Sequence, residues 1–317
     1  GVNVALLSTV DGAQALTLND SGTTVLGDVV GGSTPLISLT TDALGQTHLK
    51  GASIHTSLNA VFNDIVKVFT DVQVQAAGQL SFTQTIDDNL ANTHTLTLNG
   101  GSTAAVTVEG AIGAILPLKT LTLVNSESTT FTGPVTTGTS VLLQDTGLSI
   151  AFQGGLNTAT LSVAAKPFDL QLSGQVHVND ALTLANTGLV QLGALASDDM
   201  HFVGGLVAIT PRAIDMAGVL RTTDQAIHLG HTGAPITLLA NTDISSGTGS
   251  LRLASTVSAG ENEYVLRILS TGATTVDGNM TSAGALSFVG AVTFSSLNAT
   301  VNAASMTFGG AVTALGN

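Results

Sequence analysis

The sequence predicts an all-β fold, a right-handed parallel β-helix (β-solenoid) of short strands with glycine, asparagine, threonine and serine corners. Three observations predict it: a short unit that recurs along the chain, strands of an apolar–polar–apolar pattern, and turn residues between them. Self-similarity is weighed first because a repeat decides the architecture before any single motif does.

The recurring unit is clearest in residues 96–114, which read LTLNGGSTAAVTVEGAIGA. A short strand is followed by a corner of small residues, a second short strand and a glycine turn. Related units begin at Leu16, Leu121, Leu182 and, more loosely, Leu266. The remaining chain is interpreted as variation on this unit, so we expect one continuous solenoid over residues 1–317.

The strands are recognised as triplets such as Leu96-Thr97-Leu98 and Leu170-Gln171-Leu172. Successive side chains of a strand point to opposite faces, so the two outer residues face a core and the middle one faces solvent. Gly, Asn and Asp between the triplets favour turns. No helix-length segment separates the triplets, which indicates an all-β chain.

Two architectures use short strands, the antiparallel sandwich and the parallel solenoid. Sandwich strands commonly have about five to six residues and meet in hairpins. The shorter triplets and glycine corners favour a solenoid of roughly 20–25 residues per turn, hence about 14 turns. At about 4.8 Å per strand spacing, such a solenoid is expected to be roughly 65 Å long.

Residues 51–90 are where we expect any irregular excursion from the repeat. Phe62, Val66 and Phe69 have the spacing of one helical face, whereas the VQV and LSF triplets alternate as strands do. We prefer strands because alternation is the more direct signal.

Composition excludes several classes of function. Only 9% of residues are charged, Trp and Cys are absent, and the net charge is −13. Without cysteine there is neither a disulfide scaffold nor a thiolate metal site. Eight Lys and Arg residues are too few for a nucleic-acid-binding stripe. The apolar segments are interrupted too often for a membrane-spanning helix.

The chain starts at Gly1 without a signal-peptide pattern, and its last residues still carry the repeat. We therefore expect a mature product or a segment of a longer chain.

The units LTLNDSGTTVLGDVVGG (residues 16–32) and LTLNGGSTAAVTVEGAIG (residues 96–113) resemble the repeats of filamentous haemagglutinin-like and autotransporter-type bacterial surface proteins. The stretch SIHTSLNAVFNDIVKVFTDVQVQAAGQLSF (residues 53–82) is also similar to an element of those proteins. The resemblance covers nearly the whole chain at the level of pattern. It implies export across the outer membrane, a right-handed parallel β-helix and a structural or adhesive role.

An enzymatic alternative comes from the polysaccharide-cleaving β-helices. Pectin-hydrolase-like enzymes carry NTD, DD and GHG motifs in that order, and this chain has Asp198-Asp199, then residues 230–233 (GHTG), then residues 241–243 (NTD). The order differs and the second glycine of GHG is displaced. Glycosidases place two carboxylates across a cleft, and Trp, a common platform for sugar rings, is absent. We predict no catalytic residue.

Metal and cofactor sites are weighed in the same way. Asp87-Asp88 and Asp198-Asp199 offer carboxylate oxygens for Ca²⁺, but neither pair lies in a recognised calcium loop, and solvated turns are the preferred interpretation. On a strand, His228 and His231 would point to opposite faces, and zinc needs further ligands. We predict no metal and no cofactor.

The predicted function is a non-enzymatic structural or adhesive segment, a stalk or filament, of a secreted protein on a bacterial surface. The alternative is a self-assembling subunit of an extracellular fibre, sheath or surface layer, because terminal turns offer unpaired strand edges. The expected partners are copies of the chain or further repeats of it, together with host or matrix surface glycans, and not nucleic acid. Whether acidic turns bind Ca²⁺ weakly is left open.

Overall fold

The structure is a computed structural model that describes residues 1–315. Those residues contain strands and no helix, and parallel strands stack in about 15 turns to form a β-solenoid, as the sequence predicts. Within the described residues, none forms a helix with the length and hydropathy that crossing a membrane requires. The chain divides into two compact units, unit 1 (Gly1–Leu161) and unit 2 (Ser162–Asn317).

The strands of unit 1 are β1 (Val4–Leu6), β2 (Ala15–Leu18), β3 (Thr23–Leu26), β4 (Ser38–Thr41), β5 (Gln46–Leu49), β6 (Ser53–Thr56), β7 (Ala60–Phe62), β8 (Ile65–Val68), β9 (Val72–Ala76), β10 (Leu80–Phe82), β11 (Ile86–Asp88), β12 (Thr95–Asn99), β13 (Ala105–Val108), β14 (Leu118–Asn125), β15 (Ser128–Phe131), β16 (Val135–Leu143), β17 (Ser149–Phe152) and β18 (Leu156–Thr158). Most strands of unit 1 have three to five residues, whereas β14 has eight and β16 has nine.

The strand that includes the division point and those of unit 2 follow. They are β19 (Thr160–Val163), β20 (Asp169–Leu172), β21 (Gln175–Val178), β22 (Leu182–Thr183), β23 (Leu189–Leu192), β24 (Asp199–Phe202), β25 (Leu206–Ala208), β26 (Ala213–Arg221), β27 (Ile227–Leu229), β28 (Ile236–Ser245), β29 (Leu251–Leu253), β30 (Val257–Ser258), β31 (Leu266–Ile268), β32 (Thr274–Val276), β33 (Met280–Thr281), β34 (Ala285–Phe288), β35 (Val292–Phe294), β36 (Val301–Asn302), β37 (Ser305–Phe308) and β38 (Val312–Ala314).

Unit 1 has three parallel ladders because a complete turn contributes one strand to each. The first ladder runs β1-β3-β5-β8-β11. The second runs β2-β4-β7-β10-β13-β15-β17. The third runs β6-β9-β12-β14-β16.

Unit 2 is built in the same way. Its first ladder runs β20-β23-β26-β28-β30-β33-β36. Its second runs β21-β24-β26-β28-β31-β34-β37, and its third runs β22-β25-β27-β29-β32-β35-β38. Strands β26 and β28 belong to two ladders because each continues through a corner, where the register shifts after Met216.

The length of a turn varies within a narrow range. One of the shorter turns pairs Gln46 with Ile65, whereas one of the longer turns pairs Leu80 with Val106. Most turns fall inside the predicted interval of roughly 20–25 residues, and the longer ones carry extra loop residues. Pairing is parallel throughout these ladders, so equivalent residues of successive turns stack on one another.

The interior is formed by rows of aliphatic side chains, as the triplet pattern predicts. Aromatic rings extend these rows: Phe62 stacks on Phe82 with ring centroids 4.8 Å apart, and Phe131 stacks on Phe152 at 4.7 Å. All four rings are fully buried. A narrow core suits this arrangement because a ring in one turn covers the ring of the next.

Residues 51–90 consist of strands, namely β6 to β11, which lie on the ladders of unit 1 in register with their neighbours. The preference for strands is confirmed and the helical alternative is wrong. Phe62 and Val66 belong to different strands, β7 and β8, and both are buried, while Phe69 follows β8 at a corner. Their helix-like spacing arises because a short corner separates two triplets.

Candidate functional site

The Asp87-Asp88 pair lies in strand β11 and is buried, so the interpretation of this pair as a solvated turn is wrong. Alternation along the strand sends the two carboxylates to opposite sides. Asp87 accepts hydrogen bonds from the backbone N–H groups of Ile115 (3.0 Å) and Leu116 (3.2 Å) and from Lys67 Nζ (3.2 Å). It thereby fixes the loop that covers it.

Asp88 lies on the inward side, in the row that Leu26, Leu49 and Val68 occupy in the preceding turns. Its carboxylate accepts hydrogen bonds from the backbone N–H groups of Leu90, Thr93 and His94 and lies 2.6 Å from His94 Nδ1. A buried carboxylate is tolerated when its oxygens are satisfied in this way. The pair therefore organises the two neighbouring loops.

The second carboxylate pair is divided between two structural roles. Asp198 is buried and accepts hydrogen bonds from the backbone N–H groups of Ala194 (2.8 Å) and Leu195 (3.2 Å), closing the loop before β24. For Asp198 the solvated-turn interpretation is also wrong. Asp199 begins β24 and binds the Arg221 guanidinium through both of its oxygens, at 2.8 and 2.9 Å.

The three pieces of the enzyme-like pattern do not meet. Asp199 pairs with Val219 and Val219 with Asp243, so the two carboxylates share one outward row of the second ladder of unit 2. Two strand spacings separate them by about 9.6 Å. His231 instead follows β27, in the third ladder of that unit.

Both carboxylates of that row are held by arginines. Arg267 Nε donates to Asp243 at 2.6 Å, as Arg221 does to Asp199. Hydrogen bonding to these carboxylates raises the pKa of both guanidinium groups. Each aspartate is therefore an ion-pair partner on the surface.

His228 and His231 lie along one groove, not on opposite faces. His231 is not part of strand β27, because the chain turns at Gly230, whose φ is +75°. The groove has a volume of about 260 Å³ and also contains Arg252 and Asp277, whose Nε and Oδ2 atoms are 2.7 Å apart. Burial lowers the pKa of His228, and Arg252 acts in the same direction.

The side chains that could ligate a metal are dispersed along the solenoid. Among residues 1–315 there is no group of three or more His, Cys, Asp or Glu side chains arranged to bind a metal ion.

A second groove of about 260 Å³ lies on the outside of unit 1, and we call it the Phe69 groove. Its walls come from successive turns of the first ladder and from the loop before β14. The residues that line it are Gln46, His48, Lys67, Phe69, Asp88, Asn89 and Leu116.

Register explains why these side chains meet. His48 pairs with Lys67, and Lys67 pairs with Asp87, so the three form one outward row. Two residues further along, Lys50 and Phe69 occupy equivalent positions just after β5 and β8, since Leu49 pairs with Val68. The groove thus repeats the same two positions on neighbouring turns.

Two basic side chains of the preceding turn contact the Phe69 ring. The His48 ring contacts it with centroids 4.6 Å apart, and Lys50 Nζ lies 4.9 Å from its centroid. Burial lowers the pKa of His48, with further contributions from Lys50 and Lys67. The positive charges of Lys50 and Lys67 therefore act on a side chain of the groove, and the neutral form of the His48 imidazole is favoured.

Comparison with known proteins found no similar one: no protein-family model, curated protein or solved structure matches the chain. The resemblance to filamentous haemagglutinin-like proteins stays a prediction.

Sequence reasoning did not find the Phe69 groove. His48, Lys50, Lys67 and Phe69 are scattered in the linear pattern, in which Phe69 belongs to a candidate helical face. One signal was present: the pair His48/Lys50 recurs as the pair Lys67/Phe69 at an offset close to one predicted turn.

Proposed function

We propose that this chain is a non-enzymatic structural and adhesive segment of an exported bacterial surface protein, where it forms part of a stalk or filament. The observation that carries the proposal is the uninterrupted parallel pairing of successive turns in each unit. In a solenoid each turn contacts its neighbours, so length is added without a larger core.

The use of the acidic side chains supports the structural role. Asp87, Asp88 and Asp198 hold loops through backbone N–H groups, while Asp199 and Asp243 each pair with an arginine of the next turn. These carboxylates are engaged in joining turns and loops. The outward rows remain polar, and the net charge of −13 favours a surface that stays hydrated.

The first test is surface labelling of intact bacteria that produce the native protein, with an antibody raised against the purified chain. We expect labelling that external protease removes without lysis. Labelling that requires lysis would contradict the surface role.

Adhesion and assembly are tested separately on the purified chain. Beads coated with it should bind to host cells or matrix more than beads coated with albumin. A concentration series in negative-stain electron microscopy addresses the self-assembling alternative, for which ordered polymers are expected. Release of reducing ends from a panel of plant and bacterial polysaccharides would instead support the polysaccharide-cleaving alternative.

A further inference from the structure

Phe69 differs from almost every other phenylalanine of the chain. Eight of the ten are buried in the solenoid interior, and Phe69 and Phe308 are the two that reach solvent. Phe69 lies on the side of unit 1, half-exposed, and lines the groove that bears its name. A solvent-facing aromatic ring inside a groove is a surface on which a ligand ring can pack.

Positive charge is concentrated at the same place. Unit 1 contains three lysines, Lys50, Lys67 and Lys119, against eleven Asp and Glu residues. Two of the three lysines flank Phe69. Lys67 is partly neutralised by Asp87, whereas Lys50 is exposed and its ammonium lies over the Phe69 ring.

Asp88 also lines the groove, but its side chain is fully buried and its carboxylate is hydrogen-bonded to Thr93 and His94. The other walls supply an apolar contact and neutral hydrogen-bonding groups. Leu116 lies on the loop that Asp87 fixes, so this wall is held in place. The amide side chains of Gln46 and Asn89 can donate to and accept from hydroxyl groups. An aromatic side chain accompanied by a few polar groups is typical of a small-ligand site.

We propose that the Phe69 groove binds one carboxylate-bearing sugar residue of a glycan, with the pyranose ring packed against Phe69 and the carboxylate near Lys50. The inference rests on the proposed adhesive function and names its ligand class. A sugar ring has apolar C–H faces for Phe69 and hydroxyl groups for Gln46 and Asn89. The Lys50 ammonium forms a charge-assisted hydrogen bond with the carboxylate.

The surrounding charge limits the ligand to a single acidic residue. Unit 1 is acidic beyond the groove, so a continuous polyanion would meet carboxylates on either side of the two lysines. Like charges that face each other disfavour such a complex. We therefore expect the affinity per sugar residue to be higher for a short acidic sugar than for a sulfated polysaccharide.

The experiment is ligand-observed NMR on the purified full chain with methyl β-glucuronide, and with methyl β-glucoside as the neutral counterpart. We expect the glucuronide to bind with a Kd in the millimolar range and at least about tenfold more tightly than the glucoside. Its affinity should fall with added salt because the contact with Lys50 is exposed. The methyl glycoside of N-acetylneuraminic acid distinguishes a sialic-acid source from a uronic-acid source.

Variants locate the site. Lys50→Gln should weaken glucuronide binding about tenfold and leave glucoside binding unchanged, whereas Phe69→Leu should weaken binding of both sugars. Lys119→Gln is the matched control, because it removes the same charge from an exposed position of unit 1 outside the groove. Because Lys50 is exposed, we expect the Lys50→Gln variant to fold as the wild type does.

Three results would overturn the inference. They are equal binding of glucuronide and glucoside, an equal effect of the Lys50 and Lys119 substitutions, or no binding of any acidic sugar at 20 mM, roughly the weakest affinity the site is expected to have. Because binding is measured on purified protein, its failure leaves the surface-labelling result intact. Conversely, loss of surface labelling would overturn the proposed function while the binding data stand.

Discussion

The Nδ1 atom of His94 lies 2.6 Å from the Oδ1 atom of Asp88, a carboxylate without exposed surface. Asp88 takes a place that leucine and valine occupy in the preceding turns. The contact closes the 89–94 loop next to β11, since backbone N–H groups of that loop bind the same carboxylate.

Asp88→Asn should lower the free energy of unfolding by about 3 kcal/mol, because the amide NH₂ would face backbone donors in a buried site. Urea denaturation at pH 7 measures this change. The control is Asp71→Asn, in which an exposed side chain keeps the oxygen that accepts from the Thr95 N–H group. Equal costs for the two variants would contradict the buried role of Asp88.

Asp88 also predicts a dependence of stability on pH. Burial, the largest single influence, raises its pKa, but the His94 ring and the backbone N–H groups of His94, Thr93 and Leu90 outweigh burial and hold the pKa below its ordinary value. A lowered folded-state pKa gives stability that is present above the unfolded pKa of about 3.9 and lost as pH falls through the folded pKa. The stability difference between wild type and Asp88→Asn should shrink on acidification below about pH 4.

For Asp64 we expect the opposite dependence of stability on pH. It is buried and accepts hydrogen bonds of 2.7 Å from the Thr41 and Thr47 hydroxyl groups, yet burial raises its pKa. Its protonated form is therefore favoured by folding. The associated stability is present below the unfolded pKa of about 3.9 and is lost as pH rises through the folded pKa.

Denaturation of wild type and Asp64→Asn at several pH values tests this sign. Relative to the variant, wild type should lose stability as pH increases from about 4 toward neutrality. If the stability difference between wild type and Asp64→Asn stays constant, or changes in favour of wild type as pH rises, burial does not disfavour the ionised carboxylate of Asp64.

Substitutions at Phe82 measure how much the stacked core contributes to stability. Its ring lies parallel to that of Phe62 within 5° and is fully buried. Phe82→Ala should cost about 4 kcal/mol, because it removes apolar burial and leaves a cavity between turns, whereas Phe82→Leu should cost about half as much. The exposed Leu44 gives the control, since Leu44→Ala should change stability by less than about 0.5 kcal/mol.

Hydrogen exchange adds a spatial readout to the Phe82 variants. Because a turn contacts mainly its neighbours, protection should fall most in the strands paired with β10, namely β7 and β13. A uniform loss of protection throughout unit 1 would show that its turns unfold as one cooperative block.

Alanine substitutions at two glycines with similar φ angles distinguish the cost of conformational strain from the cost of steric contact. Gly31 has φ +71° and a Cβ there would lie 2.2 Å from the His55 carbonyl oxygen, whereas Gly101 has φ +68° and nothing within 4 Å. Gly101→Ala should cost about 1 kcal/mol from the positive φ alone. Gly31→Ala should cost clearly more, because the backbone of the next turn must move. Thermal unfolding compares them, and equal melting temperatures would contradict the close approach.

The repeating triplets were sufficient to predict the parallel solenoid, its short strands and the approximate length of a turn. Period-two alternation is a local property, and short aliphatic strands can bury their inner faces only by stacking. The same local rule could not predict that Asp87 and Asp88 are buried. It does not show which loops will donate backbone hydrogen bonds to a buried carboxylate.

The sequence by itself determined the fold class and the chemistry of each face. Tertiary structure alone decided which outward side chains became neighbours, because the turn that starts at Gln46 is shorter than the turn that starts at Leu80. A shift of a single position in register moves a side chain to the other face. His48, Lys67 and Phe69 line one groove, with Lys50 over the Phe69 ring, because two successive turns keep the same corner geometry. That register is set by packing and loop hydrogen bonds, and the linear pattern carries neither.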